Sequence, residues 1–245
     1  MRCPLWRRNM HQFAAFMPAA YERLYRADEM AEHAAIVSRR GARLVHAELW
    51  QAATGPVLCV VAEDRPGLLA FMTDALLAQG LAIESARAFC RELGNDRVEA
   101  VDFLELRALD GADDVAAQLD SEGLRAFTQA LSELIADDLA QRNSSVVSNA
   151  ARSDATPGAR VYFERQSPAD GRYLLVVDAP DFNGLLHAVS SALHTKGMRI
   201  VACEIRTVGG RARDRFEVEP STPGALSDSE LCDVQLAVLD LLPRR

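Results

Sequence analysis

The chain contains one unit built twice. Residues 57–90 align without gaps with residues 174–207 at a constant offset of 117, and eleven of the 34 aligned pairs are identical. An internal repeat of this kind indicates that one supersecondary unit was duplicated. We therefore expect two copies of one small fold within the 245 residues.

Each copy has the same order of predicted elements. The apolar run at residues 57–61 is typical of a strand buried on both sides. An Asp-x-x-Gly-Leu-Leu turn leads from the strand into an amphipathic helix, which Gly80 ends in the first copy and Gly197 in the second. Two strands joined by a glycine-containing turn and a second helix follow. This order is the ferredoxin-like unit without its last strand, so the predicted fold class is α+β.

Two segments outside the aligned stretches are candidates for the missing strands. Residues 160–165 follow the second helix of the first copy and are predicted to complete the first sheet. Nothing strand-like follows the last helix of the second copy, so residues 43–50 are predicted to pair within the second sheet. That pairing would tie the two ends of the chain together.

The composition along the chain predicts four regions. Residues 1–51 form an arginine-rich leader with two helical patterns and the strand at 43–50, and residues 53–141 form the first domain. Residues 143–158 are small and polar, as in a linker, and residues 159–245 form the second domain.

The overall composition excludes several classes of protein. A net charge of −8 with a pI near 5.2 argues against nucleic acid as a partner, since phosphate binding needs a clustered positive face. No apolar run approaches the roughly 18 residues of a membrane span, and no apolar segment follows the first arginines as in a secretory signal. Five cysteines without a Cys-x-x-Cys motif indicate reduced thiols in a cytoplasmic protein.

No cofactor or metal is expected. His187 and His194 lie seven residues apart on one predicted helix, but no cysteine or carboxylate completes a ligand set with them. The sequence also lacks a Gly-x-Gly-x-x-Gly motif and a phosphate-binding loop with its lysine.

Three segments resemble the ACT domain, a regulatory module that binds amino acids. Residues 62–69 (AEDRPGLL) are similar to its turn after the first strand, residues 80–86 (GLAIESA) to its second strand, and residues 214–218 (DRFEV) to its third. The resemblance implies two ferredoxin-like domains of order βαββαβ in tandem. The pattern is most similar to the C-terminal regulatory half of the bifunctional PII uridylyltransferase/uridylyl-removing enzymes, whose paired ACT domains sense glutamine.

An amino acid has a carboxylate and an ammonium group to be recognised, and the two turns offer both kinds of partner. Main-chain N–H groups at a helix start, freed of side-chain bulk by glycine, can bind the carboxylate, and an arginine can reinforce that binding. The turn aspartates can accept from the ammonium, although an aspartate before a helix is also commonly a cap. The candidate ligand-binding residues are Asp64, Arg65, Gly67, Leu68, Asp181, Asn183, Gly184 and Leu185.

The two turns differ in sequence. Phe182 and Asn183 replace the Arg-Pro pair of the first turn, so the second copy binds a different ligand, or only one copy binds. We expect an amino acid to lie between the turn at residues 64–69 and a neighbouring ACT sheet. Substitution of Gly67 by valine should then weaken binding more than it weakens folding.

The uridylyltransferase relatives need a Gly-Ser followed by Asp-x-Asp, and a His-Asp pair for the hydrolase half, and this sequence contains neither set. No catalytic residues are therefore predicted. The expected function is a non-catalytic amino-acid sensor, with glutamine as the first candidate ligand, acting through a protein partner or a homodimer formed by the ACT sheets. The alternatives are a structural module without a ligand and a regulatory fragment of a uridylyltransferase-type enzyme.

Overall fold

The structure is a computed structural model that describes residues 13–94, 97–109, 115–142, 158–164, 171–182, 184–222 and 224–242. The first half of this part contains the leader helices and the first copy of the repeat. In chain order its elements are α1 (Ala19–Leu24), α2 (Ala27–Arg40), β1 (Val45–Ala52), β2 (Gly55–Glu63), α3 (Leu68–Leu77), β3 (Leu81–Gly94), β4 (Arg97–Ala108), α4 (Val115–Gln118) and α5 (Ser121–Arg142).

The second half contains the second copy. Its elements are β5 (Arg160–Glu164), β6 (Tyr173–Pro180), α6 (Leu185–Thr195), β7 (Met198–Val208), β8 (Arg211–Pro220) and α7 (Asp228–Leu241). Of the predicted linker at residues 143–158, only Gly158 lies within the described residues.

The strands form one antiparallel sheet in the order β1-β2-β4-β3-β7-β8-β6-β5. The two copies meet in the middle of the sheet, where β3 pairs with β7 from Ser85↔Arg206 to Phe89↔Ala202. Each half has the strand arrangement of a ferredoxin-like unit, so the predicted class of two such α+β units in tandem is confirmed.

The predicted sources of the fourth strands are wrong. β1 pairs with β2 of the first copy, not within the second sheet, and β5 pairs with β6 of the second copy, not with the first. Each copy therefore takes its edge strand from the residues before it, and its order is ββαββα. The turn between β1 and β2 consists of Ala53 and Thr54, so closing this hairpin costs far less entropy than pairing β1 with a strand at the other end of the chain.

The helices of both copies cover one face of the sheet and share one core. Alternate residues of the central strands point into it, such as Leu58 and Val60 of β2 and Leu175 and Val177 of β6, all fully buried. α3 packs directly against α6, so the two copies meet through their helices as well as through β3 and β7.

The leader helices cover the opposite face of the first copy. They pack on Val57, Cys59 and Val61, which explains why the run in β2 is apolar at every position. The strand residues of this second core all come from β1 to β4. Within the described residues, no helix combines the length and apolar character that a membrane span requires.

A buried histidine lies at the centre of the leader's contact. His33 is fully buried, and burial lowers its pKa to about 3, so the imidazole is neutral. Its Nδ1 lies 2.7 Å from the Tyr21 hydroxyl, which can donate to it. In addition, Arg40 of α2 and Arg91 of β3 both bind the buried Glu99, at 2.7 Å and 2.6 Å. The leader is thus attached by an aromatic cluster and by an ion-paired network.

Candidate functional site

Two equivalent turns begin α3 and α6. Gly67 (φ 86°) and Gly184 (φ 97°) hold the N-cap positions in the left-handed conformation, which glycine adopts without the steric cost of a Cβ. Because both N-cap residues are glycines, neither helix has a side-chain hydrogen bond from its N-cap.

The first N–H group of each helix is used within its own turn. The Leu68 N–H donates to the Arg65 carbonyl at 3.2 Å, and the Leu185 N–H donates to the Phe182 carbonyl at 3.1 Å. These two groups are therefore not the free donors that the sequence suggested, and an anion at either turn would need the N–H groups that follow them.

Each turn faces the other copy across the junction of β3 and β7. The first turn borders a cavity closed by Ser190 of α6 and by Met198 and Ile200 of β7, which we call the first cavity. The second turn borders a cavity closed by Thr73 of α3 and Ile83 of β3, the second cavity. Each has a free volume of about 30 Å³, room for one or two water molecules. A larger ligand would have to push the surrounding side chains apart.

The two cavities are related by the internal repeat. Residues that line the first cavity correspond, at the offset of 117, to residues that line the second. The corresponding pairs are Asp64 and Asp181, Arg65 and Phe182, Gly67 and Gly184, Leu68 and Leu185, Leu69 and Leu186, Ala88 and Ile205, Cys90 and Thr207, Ser190 and Thr73, and Ile200 and Ile83.

Each cavity also contains a buried aspartate that the sequence analysis did not single out. Asp102 of β4 is 3% exposed and lines the first cavity, and Asp214 of β8 is 1% exposed and lines the second. Asp102 pairs in the sheet with Val60, and Asp214 with Val177, which are themselves an aligned pair. The two aspartates are therefore equivalent, at an offset of 112 (214 − 102).

Both buried carboxyl groups hold their protons more tightly than an exposed aspartate. Burial raises the pKa of Asp102 to about 8, and the charge of Asp64 adds to the rise. Burial raises the pKa of Asp214 to about 7, and the charge of Asp181 adds to it. Each carboxyl group accepts one backbone N–H, that of Phe89 for Asp102 and that of Arg206 for Asp214, which partly offsets the rise.

Two side chains of the second copy contact the first turn. Arg199 Nη1 donates to Asp64 Oδ2 at 2.8 Å, and the Nε and Nη2 of the same guanidinium donate to Glu219. The ring of His194 lies 3.1 Å from the position that a Cβ on Gly67 would occupy. Arg65 lines this cavity, and its buried Nε has no hydrogen-bond partner among the described residues.

Among the described residues, the second turn has neither of these contacts. Position 82, the equivalent of Arg199, is an alanine, and a Cβ on Gly184 would meet nothing within 4 Å. Arg107 of β4 lines this cavity, in the position that Glu219 holds beside the first. Asn183, a predicted ligand-binding residue, lies outside the described residues.

The histidines of α6 join the two copies. His187 Nδ1 lies 3.3 Å from Thr73 Oγ1 and 3.2 Å from Asp74 Oδ1, both on α3. His194 Nε2 lies 3.8 Å from Asp138 of α5. Within the described residues, no group of three or more histidine, cysteine or acidic side chains is placed to hold a metal ion.

Comparison with known proteins finds a bifunctional uridylyltransferase/uridylyl-removing enzyme in two strains of one organism. The chain is 26% identical over 228 residues to the bifunctional uridylyltransferase/uridylyl-removing enzyme of Caulobacter vibrioides strain NA1000 / CB15N, and the enzyme of strain ATCC 19089 / CIP 103742 / CB 15 gives the same figures. The chain is homologous to this enzyme. The match covers 89% of the chain but only 23% of the enzyme, and it confirms the resemblance to the uridylyltransferase/uridylyl-removing enzymes.

No protein-family profile matches the chain. Among solved structures, the aspartate kinase from Synechocystis is a distant likeness, with 15% identity and a TM-score of 0.35 over 67% of this chain and 24% of that one.

Proposed function

We propose that the protein is a regulatory amino-acid sensor of the ACT type with no catalytic activity of its own. The observation that carries the proposal is the pair of equivalent cavities at the junction of the two copies. Each combines a helix-start turn of one copy, a buried carboxyl group, and a wall supplied by the other copy. Glutamine is the first ligand to test, because of the resemblance to the glutamine-sensing half of the uridylyltransferases.

The groups around each cavity suit a zwitterion. Asp102 or Asp214 can accept from an ammonium group, and an arginine at the edge, Arg65 or Arg107, can bind a carboxylate. A ligand at either place would contact both copies. Its binding would therefore change the packing of α3 against α6, which a partner protein or a second copy of the chain could detect. We place this sensor in the cytoplasm.

Two other functions are supported by specific observations. The small free volume of about 30 Å³ in each cavity favours an interaction module that no longer binds a ligand. The homology to 23% of a longer enzyme favours a regulatory fragment of a uridylyltransferase-type enzyme.

A thermal-shift screen against the twenty amino acids tests the proposal. A ligand that binds only the folded state increases the free energy of unfolding, by about 2.7 kcal/mol at a concentration of 100 Kd. The melting temperature therefore rises. We expect at least one amino acid, glutamine first, to raise it in a concentration-dependent way. A melting temperature that none of the twenty changes at millimolar concentration would favour the module without a ligand.

A further inference from the structure

We infer that the second cavity alone binds the amino acid, and that Asp214 binds its ammonium group. This inference rests on the proposed function and assigns a role to a residue outside both Asp-x-x-Gly-Leu-Leu turns. It also identifies which of the two turns, which differ in sequence, lies beside the bound amino acid.

The two oxygens of the Asp214 carboxyl group differ in their hydrogen-bond partners. Oδ1 accepts from the Arg206 N–H at 3.3 Å, whereas Oδ2 is buried and has no hydrogen-bond partner among the described residues. A buried acceptor left unsatisfied is unfavourable, and a primary ammonium group carries three donors that can satisfy it. Because Asp214 lines the second cavity, a ligand there can reach this oxygen.

The rest of the second cavity suits the other parts of an α-amino acid. Arg107 lines the wall and can bind the carboxylate. Ile83 and Phe182 provide apolar surface for the stem of the side chain. The space beside Gly184 is open, since a Cβ there would meet nothing within 4 Å.

The first cavity has an equivalent set of lining residues, but its turn is already in contact with two side chains of the second copy. Arg199 neutralises Asp64, and the His194 ring covers the Gly67 backbone. The residues at the equivalent positions of the second cavity are Ala82 and Leu77. A cationic group is therefore accommodated better in the second cavity, where no ion pair between an arginine and the turn aspartate Asp181 is found among the described residues.

Isothermal titration calorimetry with two matched variants tests this inference. The wild type, Asp214→Asn and Asp102→Asn are titrated with L-glutamine, or with whichever amino acid gives the largest thermal shift, in a mildly alkaline buffer. We expect one molecule per chain for the wild type, an affinity at least about tenfold weaker for Asp214→Asn, and an affinity within about twofold for Asp102→Asn. Melting curves check that both variants fold.

A measurement on the wild type alone gives a second readout. Glutaric acid monoamide, which is glutamine without its amino group, should bind at least about tenfold more weakly than glutamine. If another amino acid is the ligand, its own des-amino analogue is used. The result is independent of whether a variant folds.

The outcomes separate the two proposals. Equal binding by wild type and Asp214→Asn, loss of binding in Asp102→Asn, or two molecules per chain would overturn the inference and leave the proposed function standing. Equal affinity for the ligand and its des-amino analogue would overturn it as well. Absence of binding by every amino acid would overturn both.

Discussion

Arg199 of the second copy donates to Asp64 of the first at 2.8 Å, across the place where β3 and β7 join the two halves of the sheet. The Asp64 side chain is 5% exposed, so it depends on this guanidinium for compensation of its charge. This ion pair joins the two copies, and it leaves the Asp64 carboxylate already bound to a cationic side chain.

Substitution of Arg199 by alanine should destabilise the fold. The buried Asp64 carboxylate would lose its partner, which costs about 2–4 kcal/mol. Arg206→Ala is the control, because Arg206 is 61% exposed and its ion pair with Glu204 should contribute less than about 1 kcal/mol. Urea unfolding of both variants measures the difference, and equal stabilities would show that Arg199 does not fasten the copies.

The buried Asp102 should make stability depend on pH. Its pKa is about 8 in the folded protein against an ordinary value of 3.8, so the folded state keeps a proton that the unfolded state releases between these values. Stability should therefore fall as pH rises through this window, by about 1.4 kcal/mol per pH unit for this group.

Asp102→Asn removes this titration, so the variant should be more stable than the wild type near about pH 9, and the advantage should shrink toward about pH 5. Denaturant unfolding across this range measures it. A constant difference between the two proteins would contradict the raised pKa.

The glycines of the two turns provide a matched pair. Alanine at either position is strained, by about 1–2 kcal/mol, because φ is positive at both. Gly67→Ala should cost more than Gly184→Ala, since its Cβ would lie 3.1 Å from three atoms of the His194 ring. Adding His194→Ala should remove the excess. Equal melting temperatures for the two single variants would show that the ring does not press on the first turn.

The leader should contribute strongly to stability through Tyr21. This ring is fully buried between the leader helices and the sheet, so Tyr21→Ala should cost about 3–5 kcal/mol. Leu24→Ala, on the same helix but 46% exposed, should cost less than about 1 kcal/mol. Thermal unfolding compares the two, and a small effect of Tyr21→Ala would indicate that the leader does not stabilise the first copy.

The repeat predicted most of the fold, because strands, turns and helices follow from local periodicity. The fourth strands were assigned to the wrong copies, because an edge strand has the same pattern whichever sheet it joins. The two-residue turn at Ala53 and Thr54 favours pairing of β1 with β2, because closing so short a loop costs little entropy. Gly55 is the sequence signal for this turn.

The buried aspartates could not be predicted from the repeat, for a different reason. The offset between the copies changes from 117 to 112 (214 − 102) beyond the β3–β4 hairpin, so the gap-free alignment stopped before Asp102 and Asp214. For Asp102 a signal existed, since it is the one acid in the apolar run at residues 100–104. Asp214 stands between Arg213 and Arg215, so only the paired strand β6 reveals that it is buried.

An NMR titration of the ¹⁵N-labelled protein with the amino acid found by the screen tests the central claim most directly. If the ligand lies in the second cavity, the backbone amide of Gly184 and those that follow it at the start of α6 should shift with increasing ligand. The amides of Gly67 and of Gly41, in the turn after α2, should move much less. Shifts confined to residues away from the β3–β7 junction, or no shift at any ligand concentration, would contradict binding between the two copies.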